Sequence, residues 1–140
     1  MGEAIDVRLE IRQALIEPWS LRIHGNPETS AIWDALFSHL ARKDVIALSP
    51  PGFGAPVPEG FDPTADGYLQ WLADALERIP QPIDLVGHDW GGAHVIRLAM
   101  SRPELIRSWT SDIAGCFEPE YVWHDMMSRG YGASKMYAAA

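Results

Sequence analysis

The chain has 140 residues, of which 47% are hydrophobic and 21% charged, a composition that suits one small domain with a packed core. Its formal net charge is −8 and its 11 basic residues form no cluster, so neither nucleic acid nor an anionic membrane surface is an expected partner. The single cysteine excludes an internal disulfide framework and a Cys-rich zinc site, and no apolar run approaches the ~20 residues that span a bilayer.

Strand and helix patterns alternate along the chain. An alternating apolar pattern predicts a first strand over residues 6–12. Short apolar runs bounded by Pro and Gly predict four more strands, at residues 19–23, 44–49, 83–87 and 105–111. Apolar residues at helical spacing predict three helices, at residues 31–42, 65–78 and 92–101. A further helix, over residues 118–128, is a weaker prediction.

The first two helices have recognisable caps and apolar faces. Thr29 or Ser30 is expected to cap the first helix, and Thr64 the second. The residues expected to face the core are Trp33, Leu36, Phe37 and Leu40 in the first helix and Leu69, Leu72, Ala73 and Leu76 in the second. Strands separated by helices of this length predict an α/β fold with a mostly parallel sheet and helices on both faces. Ligands of such sheets bind at the carboxyl ends of the strands.

Residues 87–92 (GHDWGG) lie between a predicted buried strand and a predicted helix. This is the small-x-nucleophile-x-small pattern of a sharp strand-to-helix turn, which holds its middle residue above the sheet at the amino end of the helix. Glycines on either side let neighbouring backbone pass close by without Cβ clashes. The middle residue is Asp89, so the turn is expected to present a carboxylate.

Asp89 is open to two interpretations. A carboxylate is ionised at pH 7 without help from a base, so Asp89 can displace a leaving group from saturated carbon and form an alkyl-enzyme ester. It is a poor choice for attack on an amide, because the product would be a labile anhydride. Alternatively, Asp89 simply caps the helix that follows, since Asp is a favoured N-cap residue.

A second turn, HGNP at residues 24–27, closes an earlier strand. Asn26 offers a backbone N–H and a side-chain amide, and Trp90 offers a backbone N–H and an indole N–H. Two backbone donors from two turns are what an oxyanion hole requires, and the two side chains can hold a departing halide or oxyanion. The alternatives are an ordinary proline turn and an ordinary core aromatic residue.

Three motifs in this order, HGNPETS at 24–30, PGFG at 51–54 and GHDWGG at 87–92, resemble those of the α/β-hydrolases. The resemblance is greatest to haloalkane dehalogenases and epoxide hydrolases, whose nucleophile is Asp. It implies Asp89 as the nucleophile and the main-chain amides of Asn26 and Trp90 as the oxyanion hole. In dehalogenases an Asn and a Trp at these places also bind the halide, so Asn26 favours that branch, whereas GHDWGG suits both.

The same resemblance implies only a partial α/β-hydrolase core. Family members are longer, with a helical cap inserted after the last strand predicted here and a hydrolytic histidine near the C-terminus. We therefore expect residues 1–116 to form the N-terminal part of the core and residues 117–140 to begin the cap or to be a frayed tail. His94 and His124 are expected to be structural, and Asp112 is a candidate catalytic acid.

The leading hypothesis is a hydrolase that acts on a small apolar organic substrate through an ester of Asp89, with no metal or organic cofactor, and that most resembles a haloalkane dehalogenase. The alternatives are an epoxide hydrolase and a catalytically incomplete fragment that lacks the base histidine. A lipase or esterase is disfavoured by Asp where Ser would stand. The open edge of a partial sheet predicts self-association. The acidic N-terminus lacks a signal-peptide pattern, which favours the cytosol.

Overall fold

The computed structural model describes residues 19–42 and 44–112, together with the isolated residues 120 and 122. The strands are β1 (Ser20–Ile23), β2 (Val45–Leu48), β3 (Ile83–His88) and β4 (Ile106–Asp112). The α-helices are α1 (Asp34–His39), α2 (Ala65–Glu77) and α3 (Trp90–Ser101), and short 3-10 helices span Ser30–Trp33 and Pro103–Leu105. The strand predicted at 6–12, the helix predicted at 118–128 and the domain division at 116 lie outside the described residues, apart from the two isolated ones.

The four strands form one sheet in the order β2-β1-β3-β4, and every pair of neighbours is parallel. This confirms the predicted sheet. Because all strands run the same way, the turns that follow β1 and β3 meet at one edge of the sheet. The register aligns Ile23 with Gly87 and His88 with Asp112, so the last residues of three strands lie side by side at that edge.

The main core lies between the sheet and the helices α2 and α3, which pack against each other. Strand residues reach it by alternation, which is why Leu21 and Ile23 of β1 and Ile83 and Leu85 of β3 are all buried there. The remaining buried members of the cluster are Trp19, Leu72, Ala73, Leu76, Ile79, Val95 and Leu98. The apolar face predicted for the second helix is therefore confirmed, and Thr64 caps that helix by accepting a hydrogen bond from the backbone of Gly67.

The helix α1 lies on the opposite face of the sheet, at Arg22, so helices lie on both faces as predicted. Ser20 and Arg22 point to this side, and the Arg22 guanidinium donates to Ser20 Oγ at 2.7 Å. The same guanidinium lies 5.7 Å from the centre of the Phe37 ring, a cation–π contact. A buried arginine on the sheet thus meets an aromatic residue of α1.

The extent predicted for the first helix, 31–42, is wrong. The chain forms a 3-10 turn first, and α1 has only six residues because Leu40 is already extended, with φ −81° and ψ 131°. Leu36 is 40% exposed, and the predicted apolar stripe of this helix does not join the main core. Phe37 of this stripe instead contacts Arg22, on the face of the sheet away from the main core.

An ion cluster lies on β3, at the end of the sheet away from the turns. Asp84 accepts hydrogen bonds from the guanidinium of Arg107, from the Ser108 hydroxyl at 2.6 Å and from Arg42. These bonds, with that from Arg107 first, lower the pKa of Asp84 to about 2. Arg42 also pairs with Asp44, so the cluster ties β2, β3 and β4 together. In the described segments no helix has both the length and the hydropathy needed to cross a membrane.

Candidate active site

Asp89 stands at the apex of the turn between β3 and α3. Its backbone has φ 53° and ψ −122°, and among the described residues it is the only non-glycine with a positive φ. Such a conformation costs roughly 1–3 kcal/mol and persists only where the surroundings enforce it. This backbone conformation directs the side chain away from the sheet, as the GHDWGG pattern predicts.

Three glycines of the turn are required by close backbone approach. A Cβ on Gly87 would lie 2.4 Å from the carbonyl oxygen of Gly91. A Cβ on Gly91 would lie 2.3 Å from the carbonyl oxygen of Ile23, and one on Gly92 would lie 2.5 Å from Ser111 Oγ. The turn therefore packs directly against the ends of β1 and β4 at Gly91 and Gly92, whereas Gly87 lets the start of α3 lie close to the end of β3.

The Asp89 carboxylate does not cap α3, since its side chain makes no capping hydrogen bond. Instead Oδ2 accepts the backbone N–H of Asn26 at 3.2 Å. Gly25 makes this approach possible, because a Cβ there would lie 2.1 Å from Oδ2. Of the two interpretations of Asp89, the capping role thus lacks its hydrogen bond, and the carboxylate lies beside the donor predicted on the earlier turn.

The turn at residues 24–27 is anchored from beneath by His24, which is fully buried. His24 Nδ1 lies 2.7 Å from the carbonyl oxygen of Gly25, which can only accept, so this nitrogen carries the proton. Ser49 Oγ lies 3.1 Å from His24 Nε2 and also accepts the N–H of Ser30 at 3.1 Å. Its hydroxyl proton is thereby left for Nε2. These bonds fix the turn that presents the Asn26 amide.

Trp90 is the first residue of α3 and follows Asp89 directly. It lines a small cavity together with Asn26, so the two residues predicted as donors face one space. Tyr68 and His94 line the same cavity. His94 is buried, as expected for a structural residue, and burial followed by the nearby Arg97 charge lowers its pKa to about 4.

Asp112, the candidate acid, is the last residue of β4 and is paired with His88. The His88 Nδ1 lies 2.9 Å from Asp112 Oδ1, and its Nε2 lies 3.9 Å from Glu28 Oε2. The ring also meets Trp33 edge to face, with ring centres 6.3 Å apart. Asp112 therefore contacts the residue before Asp89, and no contact with Asp89 itself is present in the described part of the chain.

Sequence reasoning placed Gly25 and His88 in motifs but assigned no role to either, and it did not single out Tyr68. For Tyr68 a signal was available, since it lies four residues before Leu72 on the buried face of α2. The contact of His88 with Asp112 depends on strand register, which periodicity does not give. Within residues 19–42 and 44–112, no group of three or more His, Cys, Asp or Glu side chains is arranged to hold a metal ion.

A family model described as alpha/beta hydrolase fold matches residues 21–130 of the chain. An epoxide hydrolase of Caballeronia sordidicola is 32% identical over 109 residues, which are 73% of this chain and 32% of that protein. Lipase LipV of Mycobacterium tuberculosis (strain ATCC 25618 / H37Rv) is 34% identical over 87 residues, which are 61% of this chain and 33% of that protein.

Solved structures resemble the described fold as well. A loop variant of the haloalkane dehalogenase DbeA from Bradyrhizobium elkanii, DbeA-M1, has a TM-score of 0.61 and covers 81% of this chain and 41% of its own. Its sequence identity is 24%, so this likeness concerns the fold alone. The chain spans about a third of the length of the curated relatives that it matches.

Proposed function

This chain belongs to the alpha/beta hydrolase fold family, and from that premise we propose that it is a hydrolase with Asp89 as its nucleophile, acting through an alkyl-enzyme ester. One observation carries the proposal. The carboxylate at the apex of the strained turn makes no capping bond and has one oxygen on the Asn26 amide. A carboxylate held in this way needs no base to become a nucleophile.

The first step follows from the two oxygens of the carboxylate. The Asn26 N–H holds Oδ2, which leaves Oδ1 to attack a saturated carbon of a small apolar substrate. A new C–O bond forms as the bond from carbon to a halogen breaks, and the halide leaves with the electron pair. The side chains of Asn26 and Trp90, which line one cavity, are the proposed donors to the departing halide.

The second step is hydrolysis of the ester. Water attacks the ester carbonyl, the carbonyl oxygen gains negative charge, and the alcohol leaves as the Asp89 carboxylate is restored. The oxygen that accepts the Asn26 N–H in the free protein is the one we expect to carry this charge, with the Trp90 amide as second donor. A general base must take the water proton. His94 is unsuited to that role, because it is buried within α3.

An epoxide is the second candidate substrate, favoured by the epoxide hydrolase relative at 32% identity. Asp89 Oδ1 would then attack one ring carbon and break its bond to the ring oxygen. That oxygen keeps the electron pair and takes a proton from water, which leaves hydroxide, so the ester carries a neighbouring hydroxyl. The two chemistries differ in the mass left on Asp89, because a haloalkane loses its halogen and an epoxide adds whole.

Incubation with a 1-bromoalkane or a terminal epoxide, followed by peptide mass spectrometry, tests the proposal. We expect an adduct on the peptide that contains Asp89, or, if the ester is hydrolysed, oxygen-18 from labelled water in that carboxylate. Asp89→Asn should abolish both signals. Asp74→Asn is the matched control, since Asp74 is an exposed carboxylate on α2 that pairs with Gln70.

Two results would contradict the proposal. Turnover without any label on Asp89 would mean that water attacks the substrate directly. An adduct on Cys116 that persists in Asp89→Asn and disappears in Cys116→Ser would be ordinary thiol alkylation.

A further inference from the structure

His88 is the last residue of β3, and its ring lies between the end of β4 and the segment that follows β1. On the side of β4, His88 Nδ1 lies 2.9 Å from Asp112 Oδ1. On the side of β1, His88 Nε2 lies 3.9 Å from Glu28 Oε2. One side chain therefore connects both neighbours of the strand that precedes Asp89.

The two ring nitrogens of His88 play different parts in these contacts. An ionised carboxylate can only accept a hydrogen bond, so the Nδ1 beside Asp112 carries a proton. Glu28 Oε2 is buried and has no hydrogen-bond partner in the described part of the chain. Its contact with Nε2 is too long for a hydrogen bond and becomes an ion pair when the ring is protonated. The imidazolium is thus the form that attracts both carboxylates at once.

The ring of His88 also packs against the segment that carries the Asn26 amide. Trp33 meets the ring edge to face, with ring centres 6.3 Å apart and planes at 83°. Glu28 follows Asn26 by two residues and Trp33 belongs to the 3-10 helix that comes next, so His88 contacts this segment at two points. The Asn26 N–H reaches Asp89 Oδ2 at 3.2 Å, the upper end of the usual range, so a small shift of the segment would break this bond.

We propose that His88 is a positioning residue for the reaction of Asp89: through Asp112 and Glu28 it holds the turn after β1 so that the Asn26 amide meets the carboxylate. Its ring acts through the turn and not on the reacting atoms. The effect on reaction rate rests on the proposed function of Asp89, whereas the effect on the Asn26 amide does not. The same ring links the exposed end of β4 to the candidate site.

Two substitutions of His88 separate positioning from packing. His88→Phe keeps an aromatic ring against Trp33 but loses both ring nitrogens. His88→Gln loses the ring but places an amide donor near the position of Nε2, within reach of Glu28. If His88 only packs, Phe is the better replacement. If it holds the turn through Glu28, Gln is the better one.

The backbone amide signal of Asn26 in nuclear magnetic resonance spectra of the whole chain measures the position of the turn. We expect this signal to move in His88→Phe and to stay nearer its wild-type position in His88→Gln. Glu28→Gln removes the charge but keeps the shape of the side chain, and its effect on the signal should be much smaller in the His88→Phe background than in the wild type, because the pair is already broken there. An unmoved signal in His88→Phe, or equal effects of Glu28→Gln in both backgrounds, would overturn the proposal.

Glu104→Gln is the matched control for the loss of one carboxylate charge. Glu104 pairs with Arg102 and lies in the short helix before β4, at the opposite end of that strand from Asp112. We expect this variant to leave the Asn26 signal and the alkylation of Asp89 unchanged. A change in Glu104→Gln as large as that in Glu28→Gln would mean that net charge alone moves the turn, which would overturn the proposal.

The rate of Asp89 alkylation gives the second readout. It should fall about tenfold in His88→Phe and about threefold in His88→Gln and in Glu28→Gln, since small displacements of a positioning group carry large rate penalties. The variant with both His88→Phe and Glu28→Gln should be no slower than His88→Phe alone, because both changes break one pair. A combined loss of about thirtyfold, the product of two independent effects, would overturn the proposal, as would a slower rate in His88→Gln than in His88→Phe.

The remaining outcomes also decide the role of His88. If the wild type is not alkylated at all, the proposed function fails, and the Asn26 signal alone then tests the positioning role. If the His88 variants do not fold, the conservative Glu28→Gln variant still tests it, since an alkylation rate equal to that of the wild type would overturn the proposal.

Discussion

At Gly25 an added methyl group would meet the Asp89 side chain, whereas at Gly91 it would meet backbone. The Cβ of Gly25→Ala would lie 2.1 Å from Asp89 Oδ2 and 2.5 Å from Asp89 Cβ, so the carboxylate must turn away and the two turns must also move apart. We expect Gly25→Ala to slow alkylation of Asp89 about 100-fold, because the carboxylate leaves the Asn26 amide, and to lower the Tm less than a clash with strand backbone does.

Gly91→Ala is the contrasting variant. Its Cβ would lie 2.3 Å from the Ile23 carbonyl oxygen, which cannot move without the strand, so we expect a lower Tm as well as lost reactivity. Labelling rates and thermal unfolding of the two variants check the prediction. Equal loss of Tm in both would show that Gly25 is needed for the fold rather than for the carboxylate.

His94 makes stability depend on pH between about 4 and 6.5. Its folded-state pKa is lowered to about 4 from 6.5, so the unfolded chain takes up the proton first as the pH falls. Stability is therefore complete above pH 6.5 and is lost towards pH 4, by about 3 kcal/mol for this shift. Asp84, with its pKa lowered to about 2 from 3.8, keeps its contribution throughout that window and loses it only at lower pH.

Urea unfolding at pH 7, 5.5 and 4.5 measures this slope. In His94→Phe the loss of stability between pH 6.5 and 4 should largely disappear, while the loss below pH 4 remains. An unchanged slope in that variant would assign the upper window to another group.

The capping residues of α2 and of the 3-10 helix at Ser30–Trp33 stabilise elements of different length and burial. Thr64 accepts from the Gly67 N–H at 3.2 Å and begins a 13-residue helix that covers the core. Thr29 accepts from the Ala31 N–H at 3.4 Å in an exposed turn. We expect Thr64→Ala to lower the free energy of unfolding by about 1 kcal/mol, and Thr29→Ala by a few tenths, because a long bond is weak. Chemical denaturation of both variants checks this, and equal effects would contradict it.

The strands and the helix α2 could be predicted because each is bounded by strong local signals. Pro and Gly end the apolar runs, and Thr64 begins a helix whose buried face recurs at regular spacing. The helix α1 was predicted too long, because its apolar spacing continues to Leu40 whereas the chain is already extended there. The surface that packs against a helix depends on the folded molecule; for α1 it includes Arg22 of the sheet. The spacing of apolar residues within the helix does not predict that surface.

In the candidate site, too, features with local sequence signals could be predicted, whereas features that depend on packing could not. Asp89, Asn26 and Trp90 could be picked out because two turns with distinctive residues follow parallel strands. Asp112 was singled out by its place after a strand, but its partner His88 follows from the register of β3 and β4. The burial of His94 likewise depends on the way in which α2 and α3 close on the turn, which no spacing along the chain encodes.

At the scale of the whole molecule, β4 is an exposed edge of the described sheet. It pairs there with β3 alone, and Trp109 on it is 51% exposed. Such an edge offers unpaired backbone groups and an apolar side chain to a second copy of the chain. We expect the 140-residue chain to self-associate with rising concentration, and sedimentation velocity measures this.

A charge on the edge should suppress the association. Trp109→Lys is expected to be monomeric at concentrations at which the wild type associates. Met100→Lys is the matched control, because Met100 is 76% exposed and apolar but lies on α3, away from the edge. A wild-type chain that stays monomeric, with a sharp cooperative melt, would contradict the prediction.

The contact between the Asn26 amide and Asp89 joins residues 63 positions apart, through the parallel pairing of β1 with β3. Such distant pairing closes a long loop and is slow compared with the formation of helices from neighbouring residues. A refolding chain can therefore regain much of its helical circular dichroism while Asp89 has no donor beside it. The time at which Asp89 becomes reactive towards a chemical label during refolding would then report when β1 pairs with β3. The helical circular dichroism signal does not report this later event.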